Sequence, residues 1–198
     1  MKRMIAVLLL AAVLSGCVGE PVDQTQSEGT TERVENQSGS TFGLGNTMPE
    51  MTFNTTNGQT LKLSELVKEK KLVVLNFWFR NCSWCMKEFP VMEVSYARHR
   101  EDVEIVALNP VDSEKDIEDF QKRSGLSFPM ASCPQSWMVE MGVRGYPTSV
   151  FIDRDGVVCL IHSGAITDTQ TFDALFEAFT ADDYQRKVYG SISEVVGR

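Results

Sequence analysis

A buried strand leads directly into two cysteines separated by two residues, and this stretch constrains the fold most strongly. Residues Leu72 to Phe79 form an apolar run broken only by Asn76, which is typical of a central strand covered on both faces. A helix is predicted to follow at once, with Cys82 in its first turn. Cys85 lies three residues further on, close enough for the two sulfurs to form a small disulfide ring.

The predicted position at a helix N-terminus gives these two cysteines their chemistry. Unpaired backbone N–H groups and the helix dipole favour a thiolate over a thiol. The pKa of a C-x-x-C cysteine in this position falls from about 8.5 to roughly 3.5–7. We expect Cys82 to be the more exposed and to act as the nucleophile. Cys85, one turn into the helix, would then resolve the mixed disulfide that Cys82 forms.

Residues 1–16 have the pattern of an export signal. Residues 1–3 are basic, and residues 4–14 form an apolar run that is too short to span a membrane. Residues 14–17, Leu-Ser-Gly-Cys, resemble the lipobox of a bacterial lipoprotein, which implies cleavage before Cys17 and lipid attachment to its sulfur. The alternative is an ordinary secretory signal with an incidental cysteine. Both interpretations place the chain outside the cytoplasm.

Composition divides the rest of the chain into three parts. Residues 17–45 are rich in Gly, Ser, Thr, Gln and Glu, and bury too little apolar surface to offset their ordering entropy, so they are predicted to be a flexible tether. Residues 46–182 form the predicted folded domain, and residues 183–198 a polar C-terminal extension that is predicted to be a fraying helix. The net charge of −8 argues against nucleic acid as a partner, because nucleic acid binds a basic face.

Strands and helices alternate along the predicted domain. An Asn-Gly pair at residues 57–58, between two alternating segments, predicts an N-terminal β-hairpin. Further strands are predicted at 103–109, 128–132, before Asp153 and at 157–162. Helices are predicted at 64–70, from Cys82 to about Arg100 with a kink at Pro90, at 135–141 and at 169–180 with Thr167 as its cap. Another is predicted from Ser113 to about Arg123, where Asp112 and Ser113 offer an N-cap and Asp116 resembles the partner in a capping box. This alternation predicts an α/β fold with a mixed sheet.

Several motifs occur in an order that is known from one protein family. They are Asn76-Phe77-Trp78, Cys82-x-x-Cys85, Lys87-Glu88-Phe89-Pro90, Gly145-Tyr146-Pro147-Thr148 and Asp153-Arg154-Asp155-Gly156. With these motifs the chain resembles, over roughly residues 46–180, the membrane-tethered thiol–disulfide oxidoreductases of the TlpA and ResA group within the wider redoxin family. The resemblance implies a thioredoxin-like fold: a central mixed β-sheet flanked by helices, with an N-terminal β-hairpin and an inserted helix and strand.

The resemblance also implies a substrate-binding strip beside the cysteines. Pro147 would follow a cis peptide bond, which normally marks a purposeful turn. This bond would place the backbone of Tyr146 beside the Cys82 sulfur, where it hydrogen-bonds an extended substrate. Trp78 matches the aromatic residue of the strand just before the site, and it is predicted to bind substrate as well.

Glu88 matches a carboxylate that lies near the second cysteine in this family. The resemblance implies that it carries the proton when Cys85 becomes a thiolate. The alternative is a solvated carboxylate on a helix surface. The chain departs from the family at Asn81, where a tryptophan is usual, and at Ser83-Trp84, which lacks the common proline. Trp84 is predicted either to contact substrate or simply to cover the disulfide.

Two further cysteines and two histidines lie outside these motifs. Cys133 and Cys159 are predicted to be unpaired buried residues, and the alternative is a second disulfide, which exported proteins often contain. His99 and His162 lack the spacing to cysteine that a metal site requires, so no metal site is predicted.

Together these features imply an extracytoplasmic thiol–disulfide oxidoreductase that needs no cofactor. Expected substrates are disulfides of exported proteins, such as apocytochrome c or a methionine sulfoxide reductase. A membrane electron donor that transfers thiols would restore the dithiol. Two alternatives stay open: an oxidant that introduces disulfides, and a thiol chaperone for copper or another soft metal. A peroxidase of the peroxiredoxin branch is disfavoured, because no P-x-x-x-T-x-x-C segment occurs.

Overall fold

The structure is a computed structural model that describes residues 41–197. These residues form a five-stranded sheet, a separate two-stranded hairpin and six helices. The strands are β1 Thr52–Asn54, β2 Thr60–Lys62, β3 Leu72–Phe77, β4 Val103–Asn109, β5 Met130–Ser132, β6 Thr148–Asp153 and β7 Val158–Ser163. The helices are α1 Leu63–Glu69, α2 Ser83–His99, α3 Glu114–Ser124, α4 Ser136–Glu140, α5 Thr169–Thr180 and α6 Ile192–Val196.

The larger sheet has the strand order β5-β4-β3-β6-β7, so β3 lies at its centre. β4 is parallel to β3 and to β5, whereas β6 is antiparallel to β3 and to β7. The parallel neighbours are joined through helices, as parallel connections require. The predicted mixed sheet flanked by helices is confirmed, and so is the N-terminal hairpin, whose turn contains Gly58 with a φ of +83°.

Alternate side chains of β3 enter two hydrophobic clusters on opposite faces of the sheet. Leu72 and Val74 pack in the cluster that also contains α2 and α5, and Val73 and Leu75 pack in the cluster that contains α1 and the hairpin. Every residue of β3 is therefore buried. This two-sided burial explains why the strand is an almost continuous apolar run.

Three local predictions need correction. β3 ends at Phe77 rather than Phe79, and β5 begins at Met130 rather than Phe128. The cap of α5 is Asp168, not Thr167, because Asp168 Oδ1 accepts a hydrogen bond of 2.8 Å from the Thr171 backbone N–H. An N-cap side chain has to stand directly before the first helical residue to reach that N–H group.

The packed part of the chain extends beyond both predicted domain boundaries. Phe42 and Leu44 pack against the core before the predicted start at residue 46. The C-terminal extension does not fray as a helix: it runs mostly without regular structure, and Tyr189 pairs with Leu160 of the edge strand β7. Apolar side chains of this segment cover the core cluster of α2 and α5.

The predicted signal peptide, Cys17 and the tether up to residue 40 lie outside the described residues. Within residues 41–197, no helix combines the length and the hydropathy that crossing a bilayer requires.

Candidate active site

The two cysteines of the C-x-x-C motif form a disulfide at the beginning of α2. The sulfurs are 2.09 Å apart and the Cα atoms 5.3 Å apart. Cys82 is the N-cap of α2, and its sulfur accepts a hydrogen bond of 3.1 Å from the Cys85 backbone N–H. The first turn of α2 contains no acidic residue. When the pair is reduced, the N–H groups of this turn stabilise negative charge on the Cys82 sulfur.

The two cysteines of the pair differ in exposure. Cys82 is 6% exposed, whereas Cys85 is completely buried. The predicted difference in exposure is therefore confirmed. Cys82 is therefore the residue of the pair that lies nearer to the surface.

Side chains at the start of α3 hold the loop that leads into Cys82. The backbone N–H of Arg80 donates to Asp112 Oδ2, and the Arg80 guanidinium donates to Asp116 Oδ1, both at 2.6 Å. Asn109, at the end of β4, also donates to Asp112 Oδ2. From the sequence, Asp112 and Asp116 were predicted only as helix-capping residues, because nothing local indicates that Arg80 approaches α3.

A cleft of about 300 Å³ adjoins Trp84, the residue directly before Cys85, and contains three of the predicted substrate-binding residues. It is lined by Trp84, Tyr146, Pro147, Gly164 and Ala165. The Tyr146–Pro147 peptide bond is cis, as predicted. The Gly164 N–H donates to the Pro147 carbonyl at 2.9 Å, and this bond joins the cis-proline loop to the end of β7.

The two tryptophans near the cysteines have opposite environments. Trp84 is 55% exposed, and the Lys87 ammonium lies 4.0 Å from the centre of its ring. Trp78 is fully buried and packs edge-on against Phe89 at 5.1 Å. The prediction that Trp78 contacts substrate is therefore wrong, because its side chain belongs to the core beneath α2.

Glu88 lies one turn beyond Cys85 on α2 and is fully buried. Its Oε1 accepts a hydrogen bond from the Ile166 N–H, and its Oε2 accepts one from Asn76 Nδ2, both at 2.9 Å. Burial raises the pKa of Glu88 to about 7, while the two hydrogen bonds lower it because they favour the charged form. The alternative of a solvated surface carboxylate is wrong. A carboxyl group that titrates near neutral pH is suited to proton transfer.

Sequence analysis did not identify two polar partners of this network. The sequence marked Asn76 as an interruption of an apolar strand and as part of a family motif, but gave it no hydrogen-bonding role, and it did not single out Ser149. The register of β3 and β6 places them opposite each other, and Asn76 Nδ2 donates to Ser149 Oγ at 3.0 Å. The available signal was the amide itself, because a polar residue in a fully buried strand needs a hydrogen-bond partner.

The other cysteines are not part of this site. Cys133 and Cys159 are both free, as predicted, but only Cys159 is fully buried, whereas Cys133 is partly exposed. Burial raises the pKa of each thiol to about 12, which favours the protonated form at neutral pH. Residues 41–197 contain no group of three or more His, Cys, Asp or Glu side chains arranged to hold a metal ion.

Comparison with known proteins identifies the family. The Redoxin family model matches residues 44–177. The thiol–disulfide oxidoreductase ResA of Halalkalibacterium halodurans is 36% identical over 113 residues, which cover 56% of this chain and 63% of that protein, less than two thirds of its length. The ResA protein of Bacillus subtilis is 33% identical over 131 residues, which cover 65% of this chain and 72% of that protein.

Two solved structures have the same fold. A putative thiol:disulfide interchange protein DsbE from Chlorobium tepidum superimposes with a TM-score of 0.62 at 28% identity, covering 70% of this chain and 98% of that chain. The exposed lipoprotein thioredoxin Etrx1 of Streptococcus pneumoniae gives a TM-score of 0.56 at 25% identity, covering 65% and 98%. This chain therefore belongs to the redoxin family, as a ResA-like thiol–disulfide oxidoreductase with a thioredoxin-like fold.

Proposed function

We propose that this chain reduces disulfide bonds in exported partner proteins through the Cys82–Cys85 dithiol. The observation that carries the proposal is the slightly exposed Cys82 at the N-cap of α2, directly joined to a completely buried Cys85. This asymmetry suits an attacking thiol followed by a protected resolving thiol.

Reduction of a substrate would take two exchange steps. The Cys82 thiolate attacks one substrate sulfur, forms a mixed disulfide and releases the other substrate sulfur as a thiolate. Cys85 gives its proton to the Glu88 carboxylate and attacks the Cys82 sulfur, which releases the second substrate thiolate and forms the Cys82–Cys85 disulfide. Two electrons pass from the dithiol to the substrate. A dithiol protein of the membrane then returns two electrons to the pair.

The cleft beside Cys82 would bind the substrate chain in an extended form. The Tyr146 backbone next to the cis bond would form hydrogen bonds with it, while Pro147 and the exposed Trp84 ring offer apolar contact. For Trp84 this favours substrate contact over a purely covering role, since more than half of its surface is exposed.

Trapping of mixed disulfides in cells tests the reaction. In Cys85→Ser the second step is blocked, so covalent complexes with substrates should accumulate on non-reducing gels and disappear with dithiothreitol. Cys82→Ser is the matched control, because it keeps a cysteine but removes the accessible one. Equal trapping by both variants, or none by Cys85→Ser, contradicts the proposal.

The proton-transfer role of Glu88 has a separate test. Glu88→Gln should slow the resolution step by about 10²-fold, a typical contribution of general acid–base catalysis. The initial attack by Cys82 should keep its rate, because no proton passes to Glu88 in that step. Rapid-mixing measurements of the two steps distinguish these effects, and an unchanged resolution rate would exclude the role.

We also propose that the chain is held outside the cytoplasm by a lipid on Cys17. The lipobox-like residues 14–17 support this, and a structural relative, Etrx1, is described as an exposed lipoprotein. Cells fed labelled fatty acid should label the wild-type chain, and Cys17→Ala should lose both the label and sedimentation with membranes. Label on Cys17→Ala would contradict the anchor, and Cys133→Ala is the control that should keep it.

A further inference from the structure

Among the described residues, only the Nδ2 group of the Asn76 amide forms hydrogen bonds, whereas its Oδ1 atom forms none. Asn76 is fully buried, and its Nδ2 donates to Glu88 Oε2 and to Ser149 Oγ. Its Oδ1 is also buried, yet it has no hydrogen-bond partner among the described residues. A buried polar atom without a partner is unfavourable, so this orientation of the amide must be favoured by the bonds that Nδ2 makes.

Ile166 determines which oxygen of Glu88 takes up a proton. A backbone N–H only donates, so Glu88 Oε1 stays an acceptor as long as the Ile166 bond exists. A proton on Glu88 therefore sits on Oε2. That oxygen faces the Nδ2 group of Asn76, which is itself a donor. When Glu88 is protonated, two donors therefore face each other: the Oε2 hydroxyl of Glu88 and the Nδ2 group of Asn76.

We propose that the Asn76 amide turns by about half a rotation around its last side-chain bond whenever Glu88 gains or loses this proton. With Glu88 ionised, Nδ2 donates to Oε2 and to Ser149 Oγ. With Glu88 protonated, Asn76 Oδ1 takes the place of Nδ2 and accepts from both the Glu88 hydroxyl and the Ser149 hydroxyl. An amide oxygen has two lone pairs and a serine hydroxyl both donates and accepts, so Glu88 and Ser149 keep Asn76 as a partner in both states. In the acid state Nδ2 takes the position of Oδ1, which has no partner among the described residues.

The two hydrogen-bond partners of Glu88, the Ile166 N–H and the Asn76 amide, carry no charge. Burial raises the pKa of Glu88, and these two hydrogen bonds lower it. β3 carries no titratable side chain. Several charged groups on the neighbouring segments have partners of their own: Asp153 of β6 with Arg186, Asp168 before α5 with Thr171, Asp173 of α5 with Arg98 and His99, and Lys87 of α2 with the Trp84 ring. The two cysteines are joined in the disulfide.

Asn76 is therefore a positioning residue for the proton of Glu88. A fixed donor would favour only the carboxylate, and a fixed acceptor only the acid. A turning amide supports both forms, so Glu88 changes its protonation state inside the core and keeps a hydrogen bond to Asn76 throughout. This inference rests on the proposed function only for its catalytic meaning, since the amide turns with Glu88 whether or not Cys85 supplies the proton.

Nuclear magnetic resonance of the oxidised protein, labelled with ¹⁵N-asparagine and ¹³C-glutamate, tests this directly. The disulfide keeps the cysteines from titrating. The side-chain N–H resonances of Asn76 should move upfield as pH falls, with the same midpoint as the Glu88 carboxyl carbon, because both hydrogen bonds of Nδ2 are lost. In Glu88→Gln the new amide donates to Asn76 Oδ1, so these resonances should hold the low-pH position at every pH. Resonances that stay at the high-pH position in Glu88→Gln overturn the proposal.

Two further variants separate the turning amide from a merely structural one. Asn76→Leu removes the donor to the carboxylate and should raise the pKa of Glu88 by about one unit, because a hydrogen bond to the charged form is the stronger one. Ser149→Ala removes one partner from each of the two states, so the pKa should move by less than about half a unit. Equal shifts in both variants contradict the proposal.

If Asn76→Leu does not fold, the wild-type and Glu88→Gln spectra decide alone. Loss of turnover in Glu88→Gln bears on the proposed function, whereas the amide resonances bear on this inference.

Discussion

Glu88 is a carboxyl group in a place that disfavours its own charge. Burial raises its pKa from the ordinary 4.5 to about 7. Because the folded pKa is the higher one, the folded state binds this proton more tightly than the unfolded state. The charge of Glu88 therefore leaves the free energy of unfolding unchanged below about pH 4.5 and lowers it progressively as pH rises through 7.

Removing this charge should stabilise the protein at high pH only. Glu88→Gln is expected to raise the free energy of unfolding by on the order of 3 kcal/mol at pH 8 and by little at pH 4.5. Urea denaturation at the two pH values measures the difference. Glu101→Gln makes the same chemical change on an exposed side chain and should have almost no effect. An equal gain at both pH values would show that burial of the charge is not the cause.

Trp84 is the exposed aromatic residue of the cleft, and its contribution should depend on the size of the substrate. Trp84→Ala is expected to lower kcat/KM for a protein disulfide about tenfold, as loss of an interface aromatic residue does. Reaction with a small thiol such as dithiothreitol should be unaffected. Val139→Ala, which trims an exposed apolar residue outside the cleft lining, is the control. A loss that is equal for small and large partners would assign Trp84 to covering the disulfide.

At the scale of elements, α3 has well-defined ends and also holds the active-site loop. Ser113 caps its beginning, and Gly125 ends it in the left-handed region with a φ of +71°. Asp116 in its first turn also holds Arg80, two residues before Cys82. The stability of α3 therefore affects how firmly the loop before the cysteines is held.

The end of α3 provides a clean test of backbone strain. A Cβ at Gly125 meets no atom within 4 Å, so Gly125→Ala introduces no clash, only the cost of a left-handed conformation. We expect a loss of about 1 kcal/mol in the free energy of unfolding. Gly145→Ala also meets no atom, but its φ lies outside the left-handed region, so it should be neutral. Similar losses for both would contradict this explanation.

Local sequence signals predicted the positions of helices and strands better than the contacts between them. The capping pattern at Ser113 and the apolar run of β4 gave the correct positions because both depend on neighbouring residues. The contact between Asn76 and Ser149 depends on the register of two strands that are 73 residues apart. The burial of Trp78 likewise depends on how α2 covers β3. No local pattern contains that information, so the network around Glu88 had to come from the structure.

At the scale of the whole molecule, the C-terminal segment is part of the folded domain. Asp153 at the end of β6 is completely buried, and Arg186 Nε donates to its Oδ2 at 2.8 Å. Arg186 also bonds Asp155, and the Tyr189 N–H donates to the Cys159 carbonyl at 2.9 Å. A polar composition had suggested a fraying extension, because the sequence does not show that Arg186 neutralises a buried carboxylate.

Removing Arg186 should therefore weaken the fold more than loss of a surface cation does. Arg186→Ala leaves Asp153 buried without its cation, and we expect a loss of about 2 kcal/mol, less than for a fully buried pair because Arg186 is partly exposed. Hydrogen exchange should show faster exchange at Tyr189. Lys187→Ala, which removes the neighbouring cation over the Tyr189 ring, should cost less than about 1 kcal/mol. Equal losses in the two variants would contradict the claim that Arg186 stabilises the fold through the buried Asp153 carboxylate.

The equilibrium reduction potential of the Cys82–Cys85 pair tests the central claim most directly. The protein would be titrated against glutathione and dithiothreitol buffers, with tryptophan fluorescence as the signal, since Trp78 and Trp84 lie close to the pair in sequence. A reductant of exported disulfides should have a potential near that of thioredoxin, about −270 mV. A potential near −120 mV would make the chain an oxidant that introduces disulfides, and would contradict the proposed direction of electron flow.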